Sequence, residues 1–383
     1  MSKTVTFDGA PPEGTINFGV GQPSADLLPV ELVAKASQAF FAGAEPFELN
    51  YGVTHGDERF LESLAGFLDA EYGTPTDPAS LFVSGGNSQA LDIVSTVFAN
   101  PGDTVFVEEP SYFLAFQIFR DHNLNVVGIP LDDEGIDVDA LERALQKHRP
   151  AFLYTIPSYQ NPGGQCLPLA RRKRLVELAL EHNFLLVADE VYQLLYFGEP
   201  PPPPLGTFAD SGVVLSLGSF SKILAPGMRL GWIQTSGEMR ESLITNGFVN
   251  SGGSINHISS HLVREAIDLG LLTEHVAKLR DIYRSRANAM HDALLEHFAD
   301  VATWSKPEGG YFFWLRCLNS IDTAPLRERA FDVEVGFQPG RVFSSCDGLD
   351  DYFRLSFAHY GEADIAEGVR RLRPLFDTAA SKA

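Results

Sequence analysis

Short unbroken apolar runs alternate along this chain with longer stretches whose apolar positions return at helical spacing. The runs are Leu81-Phe82-Val83, Thr104-Val105-Phe106-Val107, Asn125-Val126-Val127-Gly128-Ile129-Pro130, Ala151-Phe152-Leu153-Tyr154-Thr155-Ile156, Phe184-Leu185-Leu186-Val187 and Val213-Val214-Leu215-Ser216-Leu217. Most are continuous rather than alternating, the mark of strands buried on both faces of a parallel sheet. Gly231-Trp232-Ile233 reads as a further short strand. Between the runs, helical periodicity predicts helices over 29–41, 90–99, 138–147 and 169–182, and another carrying Phe60, Leu61, Leu64, Phe67 and Leu68. Strands and helices alternating in this way specify an α/β fold. After Trp232 the pattern is mostly helical, with a long heptad-like region over 258–297. Segments 309–314, 335–340 and 352–357 then predict the strands of a smaller α/β unit.

The polar residues that punctuate these strands carry the chemistry, because open α/β sheets collect ligands at the carboxyl ends of their strands. Just past the strand 213–217 comes Ser219-Phe220-Ser221-Lys222, then Pro226-Gly227 and Arg229. One amine, two hydroxyls and a guanidinium at these offsets make a phosphate cradle beside a nucleophilic lysine. Burial and a nearby cation are what lower a lysine's pKa enough for it to act as a nucleophile. Ser84-Gly85-Gly86-Asn87-Ser88-Gln89 turns from a strand into a helix, whose first N–H groups and positive dipole end can hold a phosphate without any basic side chain. It is not the GxGxxG fingerprint, which argues against NAD.

Asp189 ends an apolar strand and should face a cation or a proton donor, since an unpaired buried carboxylate is costly. Asn161 precedes Pro162, which holds it extended and suits a side chain aimed at a ligand. Tyr112 follows a strand, where an aromatic ring can stack on a heterocycle. Arg354 interrupts the apolar run 352–357 and calls for an anion, to which its planar fork is matched.

Composition narrows the partners. Of 383 residues, 29 are Lys or Arg and 50 are Asp or Glu, a net charge of −21 that disfavours nucleic acid and anionic membranes. An anionic ligand must then be held by a local cradle. Cys166, Cys317 and Cys346 lack metal-ligand or redox-pair spacing, so no metal is implied. No apolar run approaches the roughly 18 to 20 residues of a membrane span. The first residues show no secretion signal, and the expected compartment is the cytoplasm.

The pattern Ser-x-Ser-Lys-x-x-x-Pro-Gly-x-Arg-x-Gly, residues 219–231, resembles the cofactor-lysine signature of the fold-type I pyridoxal-phosphate-dependent enzymes, in the class I/II aminotransferase branch. Matching segments run in family order from Gly19 to Arg373. The resemblance implies a three-layer α/β/α large domain around a mostly parallel seven-stranded sheet, and a smaller α/β domain. Expected boundaries are 1–45 for an N-terminal arm and part of the small domain, 46–285 for the large domain and 286–383 for the small C-terminal domain.

The resemblance further implies pyridoxal 5'-phosphate, joined to Lys222 as a Schiff base. The phosphate would be held by Asn87, Ser88, Ser219, Ser221 and Arg229, and Tyr112 would stack on the ring. Asp189 would face the ring nitrogen, while Asn161 and Tyr192 would meet the phenolic oxygen. Tyr51, in the Tyr-x-x-x-x-Gly segment, would reach the phosphate of the other subunit of a homodimer. Arg354 and Asn161 would take the substrate carboxylate, with Gly21 in the segment that closes over it. The implied activity is transfer of an amino group from an L-α-amino acid to a 2-oxo acid, of the 2-aminoadipate or aromatic type. A lyase of the same fold shares these motifs, and an aminotransferase-like regulator is a further alternative. The stretch 250–257 has no family pattern, and lining the substrate pocket is its expected role.

Overall fold

The computed structural model describes residues 14–380. Residues 1–13 and 381–383, which belong to the expected arm and C-terminal domain, lie outside the described residues. The large sheet runs, in spatial order, Leu81–Ser84, Gly231–Gln234, Val214–Ser219, Leu185–Asp189, Pro150–Thr155, Thr104–Glu109, Asn125–Asp132 and Gly135–Ile136. From Val214–Ser219 to Asn125–Asp132 all neighbours are parallel. Gly231–Gln234 is antiparallel to both its neighbours. The expected seven strands are therefore joined by an eighth of two residues, Gly135–Ile136, which pairs back on Leu131 and Asp132 through a tight turn.

The pleat sorts the strand residues onto two faces. Phe106, Leu153, Leu186 and Ala188 pack with the helices Val138–Leu145 and Leu169–His182. Val105, Val107, Phe152, Tyr154, Val187, Leu215 and Leu217 point to the larger core on the other side. Both faces are covered, and this explains why the strands read as continuous apolar runs.

A second, antiparallel sheet takes the order Ala302–Trp304, Phe312–Cys317, Tyr352–Ser356, Gln338–Pro339. The N-terminal strand Ile16–Asn17 pairs with Val335–Gly336, and Phe18 accepts from the Ser356 N–H at 2.8 Å. The segment predicted as one strand over 335–340 is thus two short ones with different partners. The heptad-like region over 258–297 also divides, into His257–Asp268 and Leu271–His297. Gly270, at φ 71°, turns the chain between them, a conformation that favours glycine. The second of these helices runs through the expected boundary at 285/286.

Candidate active site

The carboxyl ends of three neighbouring strands, with the turns that follow, deliver Asp189, Tyr154 and Lys222 to one place. Asp189 is buried, with its Oδ2 accepting from the Tyr154 hydroxyl at 2.8 Å and its Oδ1 accepting from Asn87 Nδ2 at 2.6 Å. The parallel register sets Tyr154 beside Val187, two residues before the aspartate. Burial pushes the Asp189 carboxyl up, while Tyr154, Asn87, the Val191 N–H and the Lys222 charge pull it back. Among the described residues Asp189 forms no salt bridge. Its hydroxyl and amide donors are neutral, so the cationic partner that such a carboxylate calls for would come from a ligand. Asn87 also donates to the Leu217 carbonyl at 3.3 Å, and its own Oδ1 is buried without a partner.

Lys222 is half-buried, and its Nζ donates to the Gly21 carbonyl at 2.8 Å. Burial and the Arg354 charge, with a smaller push from Arg229, bring its ammonium down to about 8, against the pull of Asp189. The Tyr311 ring lies 5.5 Å from Nζ, and the Tyr311 hydroxyl donates to the Lys222 carbonyl at 3.2 Å.

Beyond Lys222 and Asn87, the turn residues Gly86, Ser219, Ser221 and Arg229 form a polar rim. Gly86, at φ 89°, caps the helix Asn87–Phe98 with no side chain engaging the first N–H groups. A Cβ on Gly86 would stand 3.3 Å from Arg229 Nη2, which donates to the Gly85 carbonyl at 2.8 Å. The Ser219 and Ser221 hydroxyls are bonded to each other at 3.0 Å, and Ser88 is exposed in the first helical turn. Asn256, which sequence reasoning left with the substrate pocket, donates instead to the Arg229 carbonyl. Ser254 N–H reaches Gly52 at 3.2 Å. That stretch braces the rim.

On the opposite side lies Arg354, buried in the small sheet. Its Nη1 donates to Asn161 Oδ1 at 2.8 Å and its Nη2 to the Gly19 carbonyl at 3.1 Å, while Nε is buried without a partner. The guanidinium lies over Phe312 at 4.0 Å and Phe343 at 4.8 Å. Burial lowers it to about 10, with the Tyr192 and Tyr112 hydroxyls nearby opposing the shift. Among the described residues no carboxylate pairs with it, which rules out a structural ion pair in this state. Tyr192 is buried between Tyr311 and Phe312, and burial pushes its phenol up. Tyr112 caps the helix Phe113–Asp121, its phenol pushed by burial and the Asp189 charge to about 12. A Cβ on Gly21 would meet Phe312 at 3.1 Å and Arg354 at 3.8 Å, so the backbone at Gly21 passes close over both.

The structure thus gathers Lys222, Asp189, Asn87, Tyr112, Tyr192, Asn161, Gly21 and Arg354 around one centre, with Ser219, Ser221 and Arg229 at its rim, while Ser88 stands exposed on the adjoining helix. Tyr51 is the exception. It is 81% exposed and lines a separate cavity with Phe47, Arg59 and His257. Sequence reasoning missed Tyr154 and Tyr311. The residues present fit pyridoxal 5'-phosphate: a buried carboxylate lacking a cation, an amine with a lowered pKa, and an N-terminal rim whose glycine leaves room for an anion.

Comparison with known proteins shows the family. The family described as aminotransferase class I and II matches residues 13–372. Aromatic-amino-acid aminotransferase 1 of Thermococcus litoralis is 36% identical, covering 93% of this chain and 87% of the relative. The crystal structure of a multiple substrate aminotransferase from Thermococcus profundus superposes with a TM-score of 0.90 at 34% identity, covering 97% of this chain and 93% of that one. The alpha-aminoadipate aminotransferase LysN of Thermus thermophilus, complexed with N-(5'-phosphopyridoxyl)-L-leucine, gives 0.88 at 33% identity, covering 97% and 94%.

Proposed function

The chain belongs to the class I and II aminotransferases and depends on pyridoxal 5'-phosphate, and from that premise we propose that its donor is a neutral L-α-amino acid, aromatic or aliphatic, and its acceptor a 2-oxo acid. The observation that carries this reading is Arg354, a buried guanidinium whose polar partners are an amide and a carbonyl, both neutral. Its charge is left for the α-carboxylate, which it can grip with two parallel bonds. A second carboxylate at the far end of the substrate would need its own cation. The sequence between Lys3 and Lys35 holds no Lys or Arg, so the mouth segment supplies none. Arg341, the other candidate, is committed to Asp350 at 2.7 Å and Asp322 at 3.8 Å.

In this reading each residue has a defined task. When bound, the cofactor supplies an exchangeable carbonyl and a ring that takes up charge from the substrate α-carbon. Lys222, partly neutral near pH 8, provides the nucleophilic amine, and its Nζ takes the substrate α-proton and redelivers it. Asp189 holds a proton at the ring nitrogen, and Asn87 and Tyr154 fix that carboxylate in place. Tyr112 would lie against the ring, while Tyr192 and Asn161 would donate to its phenolic oxygen. Ser88, Ser219, Ser221, Arg229 and the helix start hold the phosphate. Gly21 lets the mouth segment close over the substrate without a side chain in the way.

The working unit we propose is a homodimer in the cytoplasm. Phe47, Leu49, Tyr51, Val53 and Phe248 are all exposed, and two neighbouring segments contribute them, which suits a face that a second copy covers. Tyr51 would then reach the partner's phosphate. Among the described residues no helix is long and apolar enough to cross a membrane. The net charge of −21 supports the absence of a nucleic-acid partner.

A donor panel tests the function. With 2-oxoglutarate or pyruvate as acceptor, kcat/KM for leucine, methionine, phenylalanine or tyrosine should exceed that for glutamate and 2-aminoadipate by about tenfold or more. Preference for the two acidic donors overturns the proposal.

A further inference from the structure

Glu108 lies at the end of the strand Thr104–Glu109, 2% exposed, and no step of the reaction uses it. Its Oε1 accepts from the Thr155 hydroxyl and from the Ile156 N–H at 3.1 Å, and its Oε2 accepts from Gln160 Nε2 at 2.9 Å. No cation pairs with it among the described residues. Burial brings the carboxyl up to about 7, held back by those donors and raised a little further by Asp189. A buried acid fixed only by neutral donors is expensive to keep.

Gln160 explains what the arrangement accomplishes. The same Nε2 donates to the Pro110 carbonyl at 2.8 Å, and its Oε1 accepts from the Gly163 N–H at 2.7 Å. Its side chain therefore stitches the segment leading to Tyr112 onto the loop carrying Asn161, and Glu108 orients the amide that does so. The orientation is fixed by donor count. If Gln160 turned its amide over, its oxygen would face both Glu108 and Pro110, and Gly163 would lose its acceptor.

We infer that Glu108 is a positioning residue of the active site, which acts through Gln160 to set the spacing between Tyr112 and Asn161. The inference rests on the reading of those two residues as cofactor contacts. It requires an acceptor at position 108. Glu108→Gln preserves shape but replaces one of the two acceptor oxygens by an NH₂ group, so either Gln160 Nε2 or the Ile156 N–H is left facing a donor even though volume is kept.

The experiment is a double-mutant cycle on the full chain, pairing Glu108→Gln and Gln160→Leu separately with Asn161→Ala. The readouts are the pyridoxal 5'-phosphate dissociation constant, the pH at which the bound cofactor's absorbance band shifts, and KM against kcat for the amino acid. Glu108→Gln should weaken cofactor binding by about tenfold. It should also move the band's pH dependence, and it should add little in the Asn161→Ala background. If Glu108→Gln does not fold, Gln160→Leu decides by the same criteria. Effects that multiply independently of Asn161→Ala overturn the inference. So do parental values in a folded Glu108→Gln, or in Gln160→Leu, where Asn161→Ala is damaging. Parental behaviour of Asn161→Ala alone overturns the assignment of Asn161, and the inference with it.

Discussion

The Lys222 amine donates to the Gly21 carbonyl at 2.8 Å, joining residues 201 positions apart. Gly21 follows the strand Ile16–Asn17, which pairs with Val335–Gly336, and Lys222 follows a strand of the large sheet. Lys222 and the segment carrying Gly21 are therefore directly linked in this structure.

The lowered pKa of Lys222 gives the first prediction. An exposed lysine is neutral only well above pH 10, whereas a group brought down to about 8 loses its proton around that pH. Acylation of the Lys222 peptide in cofactor-free protein should rise with pH around a midpoint near 8. Because the Arg354 charge disfavours the ammonium, Arg354→Met should move that midpoint upward. Mass-spectrometric labelling across pH measures both, and a midpoint unchanged by the substitution counts against the coupling.

Tyr154→Phe should damage the site without emptying it. The change removes one donor from a buried carboxylate, a loss of about 1–3 kcal/mol. Tyr154 is among the groups that hold Asp189 down, so the carboxyl rises further and is less ready to hold a proton on a ring nitrogen. A fall in kcat of about fivefold or more follows from that range, with the fold retained by circular dichroism.

Arg354→Lys should be poorly tolerated despite keeping the charge. A single ammonium cannot span Asn161 Oδ1, the Gly19 carbonyl and a substrate carboxylate as the guanidinium fork can. KM for the amino acid should rise by about tenfold or more, with cofactor affinity near parental. Equal loss in both would place Arg354 at the cofactor instead.

Tyr51→Phe should weaken cofactor retention in the dimer, because the proposed phosphate partner of that hydroxyl lies on the second copy. Light scattering combined with cofactor titration tests this. A fully active monomer contradicts it.

Strand-end residues were legible in the sequence because buried strands announce themselves as apolar runs, and the polar residue after each run has few other places to go. Lys222 and Asp189 are of this kind, while Arg354 was legible as a charge in the middle of an apolar strand. Tyr154 was not legible. It sits inside an apolar run and looks like filler, and its bond to Asp189 depends on which strands become neighbours in which register. Glu108 escaped notice for a related reason, since the adjacent Glu109 makes the pair look like a solvated turn until the pleat buries one of them. Asn256 bracing Arg229 is wholly a matter of tertiary placement. Gly270 is different, for a glycine inside a helical pattern is a local signal of a break.

The most direct test of the account is borohydride reduction of the cofactor-loaded protein followed by peptide mapping. A phosphopyridoxyl group is expected on the peptide containing Lys222, and none in Lys222→Ala treated alike. Label on another lysine in the parent protein, or label retained in the Lys222→Ala variant, would contradict it.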